Sequence, residues 1–357
     1  MKDKINWRNT LFLTLTPLSA LILIPIYFYF YDWSWWLLTF FVVGFVVSNM
    51  LVTCGYHRYF AHRTYDAHPI VEWLYVIFGA GSFQGSVVEW SADHRIHHRE
   101  VDTEKDPYNI KRGFWYAHIG WLFIARPIEN PEKHVPDLWK KPILRWQHNY
   151  YPWVATAVGF IFPLIAGYAI GIGWGGLLFG GILRIVFSQQ STFFINSLCH
   201  SLGNQPYGDH NSARDSVIMA VLTFGEGYHN YHHQFQSDYR NGVRWYQWDP
   251  TKWWIRSLSY VGLAERLKQV SALEIQRAQI SFQEKKLLAK GLAHDHVQNM
   301  RRQLEAAQNR VKQLRDDYET RKADARQQLK KELALAKAEF KLARRQWQLS
   351  CRRLATV

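Results

Sequence analysis

Residues 11–31 read LFLTLTPLSALILIPIYFYFY, twenty-one residues without a charge. At a rise of about 1.5 Å per residue, an α-helix of this length crosses the roughly 30 Å hydrocarbon layer of a bilayer. The run is too long for a signal-peptide core and lacks a small-residue cleavage site, so it is expected to be retained. The signature recurs further on. After Asp32, residues 35–52 read WWLLTFFVVGFVVSNMLV, residues 153–172 are apolar, and residues 174–199 are interrupted only by Arg184. Four crossings are expected. Residues 70–88 are also apolar, but Glu72, Gln84 and small-residue pairs mark them as a re-entrant or interfacial helix.

Charge sets the expected orientation. Asp32 is the only charge between the first two runs and none separates the last two, whereas Lys2, Lys4 and Arg8 precede the first. Residues 56–151 hold about a dozen Lys and Arg, among them Arg58, Arg63, Arg95, Arg99, Lys111 and Arg112. Cytoplasmic loops collect such residues, which puts both termini and this segment in the cytoplasm, here of a bacterial inner membrane. Tyr31, Trp33, Trp35 and Trp36, like Tyr150, Tyr151 and Trp153, sit where interfacial anchors belong. Cys54, Cys199 and Cys351 are odd in number and far apart, which suits reduced thiols rather than a disulfide framework or zinc knuckle.

Composition divides the chain into residues 1–264 and a basic tail, residues 265–357. The tail holds 22 Lys and Arg against 11 Asp and Glu, and so supplies most of the net charge of +14. Val297, Met300, Leu304, Ala307, Val311, Leu314 and Tyr318 step by threes and fours in a heptad pattern, with a break at Arg321. A long helix or coiled coil is expected. It could self-associate, fold back near Lys290-Gly291, lie on anionic head groups, or be a solvated extension. Acids interspersed through it, and the lack of any nucleic-acid motif, argue against nucleic acid as a partner.

Three histidine clusters follow predicted spans: His57 and His62 in HRYFAH, His94, His97 and His98 in HRIHH, and His229, His232 and His233 in HNYHH. On a helix, positions i, i+3 and i+4 share one face, so each H-x-x-H-H presents three ring nitrogens together. A lone histidine is usually a satisfied polar residue, but two identical triplets without a shared ligand are improbable. Metal binding is the reading. Imidazole suits zinc, copper, iron and nickel alike. A four-ligand structural zinc site would leave half of these rings unused, so two ions fit better, with redox-active iron at a membrane surface the leading candidate.

HRYFAH, HRIHH and GEGYHNYHH, at these separations, resemble the three histidine boxes of the membrane-bound fatty acyl desaturases of the stearoyl-CoA (Δ9) type. DTEKDPYNIKRGFWYAHIGWL, NSLCHSLGNQPYGD and DYRNGVRWYQWDPTKW also match. The resemblance covers about residues 10–265 and not the tail. It implies an all-α integral membrane protein with four transmembrane helices and a cytoplasmic helical cap holding a di-iron site. Its metal ligands would be His57, His62, His94, His97, His98, His200, His229, His232 and His233, with Asn196 reaching one iron through water. The residues give independent support, since Asn196 and His200 lie four apart on one helical face.

The resemblance further implies that two irons and O2 remove hydrogen from neighbouring carbons of a saturated acyl chain, leaving a cis double bond. Asp93, Lys111 and Arg112 match residues facing the head group of acyl-CoA, although Ala92 stands where animal relatives carry arginine, and acyl-phospholipid stays open as substrate. Asp93, Asp102, Asp106, Asp209 and Glu226 are candidates to orient the ligand rings. No His-Pro-Gly-Gly haem word occurs, so electrons are expected from a separate ferredoxin, cytochrome b5 or flavoprotein reductase. A di-iron lipid hydroxylase or ketolase is the nearest alternative, and a membrane metal-binding or transport protein the alternative of another class. The latter predicts ligands along a path at bilayer depth, rather than at one side.

Overall fold

The structure, a computed structural model, describes residues 4–124, 130–291, 294–320 and 323–353. Lys2 and Arg321 lie outside the described residues. The chain forms two compact units, Met1–Val270 and Ser271–Val357.

Four helices of the first unit are long and apolar enough to cross a membrane: Trp7–Phe30, Trp35–Ala61, Tyr151–Ala169 and Gly176–His200. The third and fourth meet at Gly167 and Gly176. A Cβ on Gly167 would lie 2.6 Å from the Gly173 carbonyl oxygen, and one on Gly176 would lie 2.4 Å from that of Pro163. Only hydrogen fits there. Gly167→Val is expected to lower the melting temperature in detergent, with overpacking costing about 1–3 kcal/mol.

Arg184, the one charge in the fourth run, does not face lipid. It is buried and donates to Ser48 Oγ at 2.9 Å and to the carbonyls of Gly81 (2.7 Å), Gly159 (3.2 Å) and Gly180 (2.9 Å). Gly159 and Gly180 lie in π-helical stretches, Ala157–Ile161 and Gly176–Leu183. Wider turns leave carbonyls for a side-chain donor, so Arg184 ties the second, third and fourth spans together.

The apolar stretch at residues 70–88 is not one helix. Pro69–Ala80 ends at a turn, and Ser86 starts a new helix, Val87–Glu100, through a reciprocal capping box with Glu89. That second helix carries HRIHH. The unit is also not purely helical, because Asp66–Ala67 pairs antiparallel with Ala264–Glu265. This short ladder, extended by the Lys268 N–H to Thr64 carbonyl bond of 2.9 Å, pins the chain after HRYFAH to the end of the unit.

The second unit is not one continuous helix but folds back, one of the arrangements open to the tail. Among the described residues it contains three helices, Ala272–Ala289, His294–Thr320 and Ala323–Arg353. Gln276–Gln308 and Glu284–Arg301 contacts run antiparallel across the first pair, and Arg310–Glu339 and Met300–Ser350 across the second. The chain reverses at Lys290-Gly291, after the first helix ends. The physical reason is burial: Val297 and Leu304 of the heptad stripe pack with Ile280, Leu287 and Trp347 of the other two helices.

Candidate metal centre

HRYFAH places its two histidines five apart, which in an α-helix would splay them. The second span solves this by continuing as a π-helix over Val52–Ala61, and the His62 N–H donates to the His57 carbonyl, five residues back, at 3.0 Å. Residues five apart stack in that geometry as residues four apart do in an α-helix. The two rings lie 4.8 Å apart between centroids. HRIHH and HNYHH use ordinary α-helical turns, Val87–Glu100 and His229–Gln234. His200 follows the fourth span in a tightened turn, Leu198–His200.

The nine rings sort into two groups. His57, His62, His94, His98 and His232 form one, and His97, His200, His229 and His233 the other; within each, one ligand atom per residue lies within 4.8 Å of the rest. The Nε2 atoms converge. His62–His94 is 2.8 Å, His57–His232 and His232–His98 are each 3.0 Å, and His200–His229 and His229–His233 are each 3.0 Å. Burial first, and neighbouring rings second, hold His62, His94, His98, His232 and His233 far below the usual imidazole value, and burial brings His229 to about 3. Neutral rings aim lone pairs inward, and His232 Nε2 cannot be satisfied by both of its neighbours at once. A cation in each group resolves this. An all-imidazole donor set suits a transition metal rather than magnesium or calcium, so the residues fit a two-metal centre.

Four of the nine rings have a partner at the outer nitrogen, whereas the buried Nδ1 atoms of His98 and His229 have none among the described residues. His97 Nδ1 is 2.9 Å from Asp106 Oδ1, and Asp106 also accepts the Asp102 and Tyr108 N–H groups. His200 Nδ1 meets Ser212 Oγ at 2.7 Å, and that hydroxyl donates to Asp102 Oδ1 at 2.6 Å. His94 Nδ1 is 3.3 Å from the Tyr108 hydroxyl. His57 Nδ1 lies 3.0 Å from Glu226 Oε2, an ion-pair distance whose angle falls short of a hydrogen bond. Of the five acids expected to orient rings, then, Asp106 and Glu226 do so directly and Asp102 through Ser212. Asp93 lines the adjoining cavity instead, and Asp209 sits on an exposed loop. Asp106→Asn is expected to weaken metal binding by about 10–100-fold, measured by metal analysis against a chelator series.

Arg58, legible in sequence only as a loop charge, is buried and central. It donates to Glu226 Oε1 at 3.0 Å, to Asp249 Oδ2 at 3.1 Å and to the Tyr239 carbonyl at 2.8 Å. Burial alone would raise Glu226, but His57 and Arg58 hold its carboxyl down at about 2. Asp249 is packed against Gly225, whose φ of +101° and lack of Cβ allow an oxygen where a Cβ would lie 2.5 Å away. The first glycine of GEGYHNYHH thus serves this close approach, and the second, Gly227, lets the chain pass against the Met219–Ala220 backbone.

A cavity of about 1020 Å³ adjoins the centre, lined by His57, His94, His229 and Asn196 and by apolar Phe12, Leu13, Val52, Phe83 and Ile195. Asp93 also lines it, its carboxyl raised to about 7 by burial and then by Glu89. Among the described residues, the cations on the wall are Arg8 and Lys105. Lys111 is exposed, and Arg112 stacks 3.9 Å over the Tyr116 ring; neither belongs to the lining. Nothing local in the sequence distinguishes Thr192 and Trp121 of the lining from other span-end residues, and Gln84 reads there only as a mark of an interfacial helix. Gln84, in the turn before Val87–Glu100, donates to Thr192 Oγ1 of the fourth span at 2.9 Å across the cavity wall. The N-terminal strand of chain lies at this same end, with the Asn6 N–H donating to the Phe123 carbonyl at 2.8 Å.

Comparison with known proteins agrees with this arrangement. A probable acyl-CoA desaturase of Schizosaccharomyces pombe is 44% identical over 255 residues, 70% of this chain and 53% of that protein. Acyl-CoA desaturase 1 of Saccharomyces cerevisiae is 44% identical over 250 residues, 70% and 49%. The chain spans about half the length of these two yeast relatives. The sn-1 stearoyl-lipid 9-desaturase of Anabaena variabilis is 32% identical over 269 residues, 75% of this chain and 95% of that protein. The fatty acid desaturase family profile matches residues 5–266, which include all nine converging histidines and the cavity beside them: the chain belongs to the fatty acid desaturase family.

Proposed function

We propose that this protein is an oxygen-dependent acyl desaturase that introduces a cis double bond, at Δ9, into a saturated acyl-CoA. The observation that carries the reading is the pair of convergent imidazole groups at the wall of a largely apolar cavity. His57, His62, His94, His98 and His232 would hold one iron. His97, His200, His229 and His233 would hold the other, and Asn196 would reach one iron through water. Bound iron, with O2 and two electrons, supplies the oxidising power that an unactivated CH2–CH2 unit demands, giving the alkene and water.

The chain's own part is positional. Asp106, Glu226 and the Asp102–Ser212 pair fix ring orientation, and the apolar wall excludes water and holds one carbon pair beside the centre. Asp93, Lys111 and Arg112 are assigned to the head group, with Lys111 and Arg112 outside the cavity lining. The yeast relatives' names support acyl-CoA, and the Anabaena relative's name supports the Δ9 position while keeping an acyl-lipid as the second substrate reading. Electrons come from a donor protein of the ferredoxin, cytochrome b5 or flavoprotein reductase kind. We place both termini and the centre on the cytoplasmic face of the membrane, following the excess of Lys and Arg at that end. Residues 1–264 then form the catalytic unit and residues 265–357 a separate basic extension.

The test is mass spectrometry of products formed under O2 with a reductant, comparing acyl-CoA with phospholipid substrates. A new alkene on acyl-CoA, with about two irons per chain, is expected. Hydroxylated chains without alkenes would instead identify a hydroxylase, and labile zinc without oxygen-dependent turnover a metal-binding or transport protein.

A further inference from the structure

The second unit has an apolar stripe that its own core does not use. On the helix Ala323–Arg353, Ala336 and Trp347 face inward, whereas Leu335, Leu342 and Leu349 expose 58%, 60% and 45% of their surface. Seven-residue spacing keeps these three leucines on one face, about 10 Å apart along the axis. Exposed Lys331, Lys341 and Arg345 border one edge of the stripe, with Ala338 between them. Glu332 and Glu339 lie toward the other edge, where Glu339 meets Arg310 at 3.6 Å and Glu332 accepts from Gln328. From Ser271 to the end, twenty Lys and Arg stand against ten Asp and Glu.

We propose that this stripe docks the second unit onto an anionic bilayer surface, with leucines at the boundary of head groups and acyl chains and the bordering bases on lipid phosphates. An exposed apolar face edged by cations is the pattern of helices that lie in such an interface. The inference rests on reading the first unit as membrane-spanning, since covalent linkage to it keeps lipid at high effective concentration. A second copy of the same stripe is a poorer occupant, because antiparallel pairing would set Lys331, Lys341 and Arg345 against their own counterparts, and parallel pairing would turn them toward Glu339, already engaged by Arg310.

The full chain reconstituted at one copy per lipid nanodisc provides the test. Cys351→Ser removes the only half-buried thiol; Cys54 and Cys199 are fully buried. A solvatochromic label is placed at Leu342→Cys, and a control label at Arg344→Cys, about 200° round the helix. In discs mixing phosphatidylcholine with phosphatidylglycerol, the Leu342 label should shift to the blue and be quenched by spin-labelled lipid, while the control stays water-like. Charge reversal by K331E, K341E and R345E together should abolish the shift. A water-like Leu342 label in the mixed lipid, an equal shift in phosphatidylcholine alone, or a shift seen only with two copies per disc would each overturn the proposal. Incorporation of the chain into discs reports on the spans separately from the label.

Discussion

His232→Ala should leave the protein in the membrane fraction, abolish alkene formation and lower bound metal from about two ions per chain to about one. His232 is the hinge of the five-ring group: its Nε2 lies 3.0 Å from the Nε2 atoms of both His57 and His98, which come from different helices. Removing it takes one donor and also the contact that draws the other two together. The four-ring group touches neither of those distances, which is why half of the metal should remain. The measurement pairs product mass spectrometry with metal analysis of the purified variant. Full metal occupancy with full turnover would remove His232 from the ligand set. By contrast, Asp106→Asn acts on one ring through its outer nitrogen, and should show up as weakened retention rather than loss.

Arg58→Met is expected to destabilise the first unit by about 3–5 kcal/mol, because it strands two buried carboxylates at once. Glu226 and Asp249 are 2% and 0% exposed, and Arg58 forks between them with a further bond to the Tyr239 carbonyl. Methionine fills the volume but supplies no donors, so the loss comes from uncompensated charge rather than from a cavity. The expected readout is a lowered midpoint in detergent unfolding and poor recovery of folded protein. Arg58→Lys should recover only part of the loss, since one ammonium cannot reproduce the fork. An unchanged midpoint for Arg58→Met would show that the two carboxylates are neutral or otherwise compensated. Glu226 also faces His57, so a folded fraction of the methionine variant should bind metal less tightly as well.

Much of this molecule was readable along the chain because the signals are local and periodic. An uncharged run of bilayer length marks a candidate span, and H-x-x-H-H on a helix must gather three rings, whatever surrounds it. Both kinds of reading need only the rise and turn of an α-helix. HRYFAH resisted that logic: its five-residue spacing makes sense in a π-helix, and nothing short-range announces that the second span will widen at Val52. Arg58 and Arg184 resisted it for another reason. Both look like loop or interrupting charges, and both are buried hubs, since a charge becomes structural only when distant groups, Glu226 and Asp249 for one, Ser48, Gly81 and Gly159 for the other, come to meet it.

The tail shows the same division. Its heptad steps predicted a helix with an apolar seam, yet a seam does not name its partner. Packing against Ile280, Leu287 and Trp347 within the same chain was a choice among several burials of similar chemistry, and it left a different set of leucines outside. Sequence therefore determined which segments are long and apolar enough to cross a bilayer, which residues could bind metal and which family the boxes resemble, since each depends on residue type at fixed short spacing. Only the tertiary structure decided how nine histidines divide into five and four, which acids reach them and which cations line the cavity. Those outcomes depend on distances of a few ångströms between residues that lie from nine to well over a hundred positions apart.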